Sequence, residues 1–266
     1  MNILDKIIAH KKKEVAERKS QVSLKDLEKS AYFSAPVISL KKSLLDDDTG
    51  VIAEFKRKSP SKGIINENAG VAQTTAGYAK AGACALSILT DTEFFGGTSE
   101  DIVAVRQFTQ IPILRKDFIV DEYQVVEAKS MGADVVLLLA NVLTSIEIKQ
   151  FATTAKWLGM EVLLEIREES ELNSVNILVD CIGVNNRNLK DFKVDVKRSF
   201  DLASIIPKGF MKISESGIDS AKTIHELKQA GFNGFLIGET FMKEKNPEAA
   251  CADFIKEINN FSLSKS

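Results

Sequence analysis

Two carboxylates and two amines in this chain are spaced so that they could move protons. The stretch "AEFKRKSPSKG", residues 53–63, follows the apolar Val51 and Ile52 and sets Glu54 and Lys56 two positions apart. Side chains at i and i+2 of a strand point to the same face, so on a strand these two would stand side by side. A second lysine, Lys116, follows the apolar "IPIL" and Arg115, and a second carboxylate, Glu165, lies near the end of "EVLLEI". Carboxylates and amines converging on one partly dry site shift each other's pKa and can act as general acid and base. His10 and His225 fall in helical stretches with no second His or Cys at ligand spacing, and neither a Walker-type nor a dinucleotide fingerprint is present. The chemistry expected is therefore proton transfer by side chains, with no metal.

These residues need elements to position them. Short runs rich in Val, Ile and Leu recur: "VIAEF" (51–55), "CALSIL" (84–89), "IPILR" (111–115), "DVVLLLA" (134–140), "EVLLEI" (161–166), "DCIGVN" (180–185), "FMKIS" (210–214) and "GFLIG" (234–238). Near-continuous apolarity, rather than alternation, is the pattern of a parallel strand covered on both faces. Segments of helical period separate them, as at 100–110, 121–132, 145–159 and 220–231. Several close on a glycine placed for a helix C-cap: Gly82, Gly132, Gly159 and Gly231. Strand then helix, eight times over, predicts a (β/α)8 TIM barrel, an α/β fold of about 250 residues. A doubly wound sheet fits less well, because it has fewer strands and a Gly-rich first turn that "VIAEFKRKSP" lacks. Residues 1–48 read as a helical N-terminal extension of a single domain spanning 1–266, with Ile3, Leu4, Ile7, Ile8 and Val15 on one helix face.

In such a barrel the chemistry lies where strands end. There the sequence places Glu54 and Lys56, then Arg115-Lys116-Asp117, Glu165, Asn185-Asn186-Arg187, Glu215-Ser216-Gly217 and Gly238-Glu239. The last two ends, "SESGIDSAK" and "LIGETFM", each put a glycine directly before a helical segment. Backbone N–H groups at such turns cradle a phosphate, so a phosphorylated small molecule is the expected partner. Phe94 and Phe95 in "DTEFFGGTSED", with Phe118 and Pro60, could wall a flat pocket for an aromatic ring.

Composition narrows the partners. With 35 basic and 37 acidic residues the net charge is −2, which gives no reason to expect nucleic-acid binding. Lys11-Lys12-Lys13, interleaved with Glu14 and Glu17, reads as a solvated helix face. Cys84, Cys181 and Cys251 are odd in number and widely spaced, as reduced core residues would be. No apolar run reaches about 18 residues and no leader-like segment opens the chain, so a cytoplasmic protein with no membrane contact is expected, monomer or homodimer.

Taken in order, "IAEFKRKSPSKG", "LTDTEFFGGT", "PILRKDFIVDEYQ", "GADVVLLL", "MEVLLEI", "IGVNNRNL", "SESGI" and "FLIGETFM" resemble the motifs of the indole-3-glycerol-phosphate synthase family, from about residue 50 to 243. The resemblance implies a cofactor-free carboxy-lyase of tryptophan biosynthesis. Its substrate would be 1-(2-carboxyphenylamino)-1-deoxyribulose 5-phosphate, whose indole ring it closes with loss of CO2 and water. By motif, Lys116 would be the general acid on the substrate ketone. Lys56 would hold the substrate carboxylate or donate a proton in dehydration, and Glu165 would be a base assisted by Glu54. Asn185 and Arg187 would orient the substrate, and Pro60, Phe95 and Phe118 would wall its ring. Ser59 would belong to the loop carried over it. Glu215, Ser216, Gly217, Gly238 and Glu239 would complete the substrate site, the last four at the phosphate. Thr98 stands where the family often has Ser. Phosphoribosylanthranilate isomerases resemble the chain less, since they would want a Cys at the first strand end.

Overall fold

The computed structural model describes residues 2–189 and 191–263. Eight parallel strands close into a barrel: Val51–Phe55 (β1), Ala85–Leu89 (β2), Ile113–Lys116 (β3), Val135–Leu139 (β4), Glu161–Ile166 (β5), Cys181–Asn185 (β6), Met211–Glu215 (β7) and Gly234–Ile237 (β8). Each pairs with its sequence neighbours, and β8 closes on β1 through Val51–Phe235, Ile52–Leu236 and Ala53–Ile237. Two cores explain the continuous apolar runs. Val51, Ala53 and Phe55 pack outward under the helices, whereas Ile52 lies inside the barrel with Leu114, Val135, Leu163 and Ile213. The same alternation runs on past the last apolar residue of each inward row. Ile52 leads to Glu54 and Lys56, Leu114 to Lys116, Leu163 to Glu165, and Ile213 to Glu215. Strand parity thus delivers the charged groups to one end of the barrel.

The outer layer contains α4 (Val71–Ala81), α5 (Thr92–Phe95), α6 (Ser99–Arg106), α7 (Tyr123–Met131) and α8 (Ser145–Trp157). It continues with α9 (Lys197–Ala203), α10 (Ala221–Gln229), α11 (Glu239–Met242) and α12 (Pro247–Leu263). Gly82 and Gly132 end α4 and α7 at φ 99° and 91°, a left-handed conformation that costs a residue without Cβ little. One expected helix is missing. Between Ile166 and Cys181 only the 3-10 turn Glu169–Ser174 forms, so the strand-then-helix repeat holds seven times rather than eight. That connection is the shortest of the barrel, and its Ser- and Asn-containing sequence favours turns over a helix interior. A small hairpin, Lys58–Ser59 with Gly63–Ile64, also forms around Ser59-Pro60-Ser61.

Residues 2–48 carry α1 (Ile3–Gln21), α2 (Leu24–Leu27) and α3 (Leu40–Asp46). At the strand-start end, Leu40 and Leu44 join the barrel interior, and the Ser43 hydroxyl donates to the Cys84 carbonyl at 2.6 Å. Helix α1 covers the opposite end, where Ile3 and Ile7 reach the cavity at the strand ends. The basic run on α1 is not the solvated face it resembles. Lys12 and Lys13 are exposed, but Lys11 is 0% exposed, because Ile7, Lys11 and Val15 fall at i, i+4 and i+8 on the packed side. All three cysteines are free and buried. Among the described residues, no helix is long and apolar enough to cross a membrane.

Candidate active site

A cavity of about 310 Å³ opens at the strand ends. Fifteen of the residues singled out above line it: Glu54, Lys56, Ser59, Pro60, Phe95, Lys116, Phe118, Glu165, Asn185, Arg187, Glu215, Ser216, Gly217, Gly238 and Glu239. Phe94 does not; its ring packs edge-on against His10 instead, with centroids 5.7 Å apart. Asn186 lies beneath the site, donating to Ser214 Oγ at 3.1 Å and to the Ser216 carbonyl at 3.0 Å.

Five charged groups form the centre. Lys56 Nζ is 2.6 Å from Glu54 Oε1. Lys116 Nζ is 2.9 Å from Glu165 Oε2 and also donates to Glu215 Oε2. Burial works against the Lys116 ammonium, but the charges of Glu165, Glu215 and Glu54 outweigh it and raise its pKa. Three carboxylates and two ammonium groups leave one negative charge in excess. Burial, aided by Glu165 and Glu54 and opposed by Lys116, pushes the Glu215 carboxyl up to about 8. Among the described residues its buried Oε1 has no hydrogen-bond partner, and the Cβ of any residue at position 183 would collide with it. Gly183 therefore makes the room that Glu215 occupies.

Glu215 has a consequence for stability. Its folded pKa lies above the ordinary glutamate value of 4.5, so the native state binds the extra proton between those limits. This contribution is full below about pH 4.5 and lost as pH rises through about 8. Glu215→Gln should accordingly flatten the decline of stability over that window. Urea midpoints at pH 5 and pH 8.5 test this; an unchanged difference between wild type and variant would refute it.

Asn185 ties the two sides of the site. Its Nδ2 donates to Glu165 Oε1 at 2.9 Å, while its Oδ1 accepts from Ser216 Oγ at 3.1 Å and from the Arg187 amide at 2.9 Å. The Ser216 hydroxyl, expected at the phosphate, is thus directed at Asn185. Ser216 and Gly217 both hold positive φ, 71° and 77°, in the turn after β7. Arg187 crosses the mouth to Glu239 at 2.9 Å, and Lys62 approaches the same carboxylate at 3.5 Å. With that side chain occupied, Glu239 is left with its backbone N–H, at the first turn of α11, to offer an anion. Phe95 and Phe118 stand 5.9 Å apart, tilted by 39°.

The sequence reading missed Ile3 and Ile7 in the lining and the burial of Lys11. The period-four stripe on α1 carries the signal for Ile7 and Lys11, but nothing local says what the stripe covers.

The chain matches the indole-3-glycerol phosphate synthase family over residues 4–254. It is 47% identical over 257 residues to the indole-3-glycerol phosphate synthase of Bacteroides thetaiotaomicron, covering 97% of this chain and 99% of that one. With the enzyme of that name from Acinetobacter baylyi it shares 39% over 250 residues, 93% of each chain. The solved 3-hexulose-6-phosphate synthase of Salmonella typhimurium superposes with a TM-score of 0.63 over 79% of this chain and 99% of that one; at 12% identity it attests the barrel alone. A match to the family over nearly the whole chain, joined to a barrel mouth lined by the motif residues, shows that this chain belongs to the indole-3-glycerol phosphate synthases, the decarboxylating lyases that form indole-3-glycerol phosphate in tryptophan biosynthesis.

Proposed function

We propose that Lys116 is the acid of the ring-closing step and that Lys56 anchors the substrate carboxylate. The observation that carries this division is the count of protons on each ammonium. Two of the three Lys116 N–H bonds go to Glu165 and Glu215, leaving one for a single ketone oxygen. Lys56 spends one on Glu54 and keeps two, which suits the two oxygens of a carboxylate. The ring carbon bearing the carboxylate attacks the ketone carbon, and the ketone oxygen takes the Lys116 proton. The bond to the carboxylate then breaks, its electrons return to the ring, and CO2 leaves. In the second half the new hydroxyl departs as water with a donated proton, and a base removes the proton that restores aromaticity. Glu165 takes that base role with Glu54 assisting, a reading supported by its contacts to Asn185 and Lys116.

The ring lies between Phe95, Phe118 and Pro60, with Ser59 in the strap above it. The phosphate is bound by backbone N–H groups of Gly217, Gly238 and Glu239, and Arg187 and Asn185 orient the chain between. Residues 1–266 act as one domain, with 1–48 its extension. This is supported by the side chains that α1 and α3 add to the barrel's interior cluster. A cytoplasmic monomer or homodimer acting on a free phosphorylated small molecule, without nucleic acid or membrane, completes the reading.

The test is turnover of the carboxyphenylamino-deoxyribulose phosphate followed by indole fluorescence. Glu54→Gln and Lys56→Met should each cost activity, and the double variant much less than the product of the two losses, because each group holds the other's charge. Losses that multiply would show that the two serve separate steps.

A further inference from the structure

The packed face of α1 carries one fully buried charge. Lys11 Nζ lies 2.9 Å from Asp91 Oδ2, 3.0 Å from Asp117 Oδ1 and 2.9 Å from Glu14 Oε2, and both aspartates are themselves buried. Each aspartate also holds a piece of the cavity wall. Asp91 follows β2 and accepts the Phe94 amide at 2.7 Å, capping α5, the turn that carries Phe95. Asp117 sits between Lys116 and Phe118, both of which line the cavity. Its Oδ1 accepts the Phe118 amide at 2.8 Å, and its Oδ2 accepts the Thr90 hydroxyl at 2.7 Å and Arg115 at 3.1 Å. Asp117 would keep Arg115 if Lys11 were lost. Asp91 would not be so placed: among the described residues no other cation pairs with it.

We propose that Lys11, from the N-terminal extension, is a positioning residue of the indole-forming reaction: through Asp91 and Asp117 its ammonium fixes the two loops that present Phe95, Phe118 and Lys116. The proposal rests on those three residues acting as assigned above. A buried ammonium shared by two carboxylates is directional, because removing it leaves both charges facing each other out of water. Whether the aspartates then draw apart or one of them takes up a proton, the tie between the two loops is lost, and displacement of a positioning group by about 1 Å can cost on the order of 10² in rate.

The experiment compares Lys11→Met and Lys11→Arg in the full chain, with Phe118→Ala and Lys116→Met as references for the assigned roles. Lys11→Met should lower kcat/KM by about 10- to 100-fold at a temperature where circular dichroism shows it folded, with KM raised and kcat reduced together. Lys11→Arg should recover most of that loss. A purely structural lysine would lower Tm and leave kcat and KM at wild-type values below it, which overturns the proposal. If Lys11→Met does not fold, Asp91→Asn decides. It keeps an acceptor for the Phe94 amide, loses the charge, and should raise KM by about 3- to 10-fold. An unchanged KM there overturns the proposal too. Should the Lys11 variants behave as expected while Phe118→Ala and Lys116→Met leave turnover intact, the assigned roles fail and this route of action fails with them.

Discussion

Lys116→Met should leave a folded protein whose kcat is reduced by at least about 10². The variant removes the proton donor and, with it, the cation between Glu165 and Glu215. Methionine matches the length and apolar stem of lysine, so the cavity wall keeps its shape. The carboxylates left behind would take up a proton in place of the lost charge, since two buried carboxylates this close do not both stay ionised. Substrate binding should suffer less than turnover, because an acid acts mainly on the transition state while carboxylate and phosphate contacts lie elsewhere. Rapid-mixing measurement of indole fluorescence under single-turnover conditions separates the two. A chemical step near the wild-type rate, in a variant shown to be folded, would remove Lys116 from the acid role.

Gly238→Val is the second large effect, and the structure relocates its cause. From position in the sequence alone, a branched side chain at Gly238 would fill the place of the phosphate and act through KM. The Cβ of a residue at 238 instead points into the barrel, 2.5 Å from Glu54 Oε1 and 3.1 Å from Glu54 Cβ. Valine therefore drives Glu54 away from Lys56, and the loss should fall on kcat as well as KM, by about 10² in kcat/KM. Gly238→Ala should already show most of it, since the first carbon makes the clash. The measurement is kcat and KM for both variants, together with inhibition by inorganic phosphate. A pure KM effect, with phosphate inhibition abolished, would return the cause to the anion site.

The sequence by itself determined the barrel and the identity of the groups at its mouth. Buried parallel strands are apolar on both faces, so each one is written as a run, and period-two parity then assigns Glu54, Lys56, Lys116, Glu165 and Glu215 to the inside without coordinates. Motif order added the family and its reaction. What the sequence left open depends on distances between residues far apart in the chain. The Glu215 carboxyl is pushed up because it is buried, in the room Gly183 leaves, and lies beside Glu165, 50 residues away by numbering. Gly238 faces Glu54 and not solvent because β8 closes on β1. Lys11 looks like one of three surface lysines until α1 is laid across the ends of β2 and β3, where two buried aspartates await it. Burial and pairing are properties of the assembled neighbourhood: the same lysine is solvated on an isolated helix and becomes the buried counter-charge of two aspartates once that helix is packed.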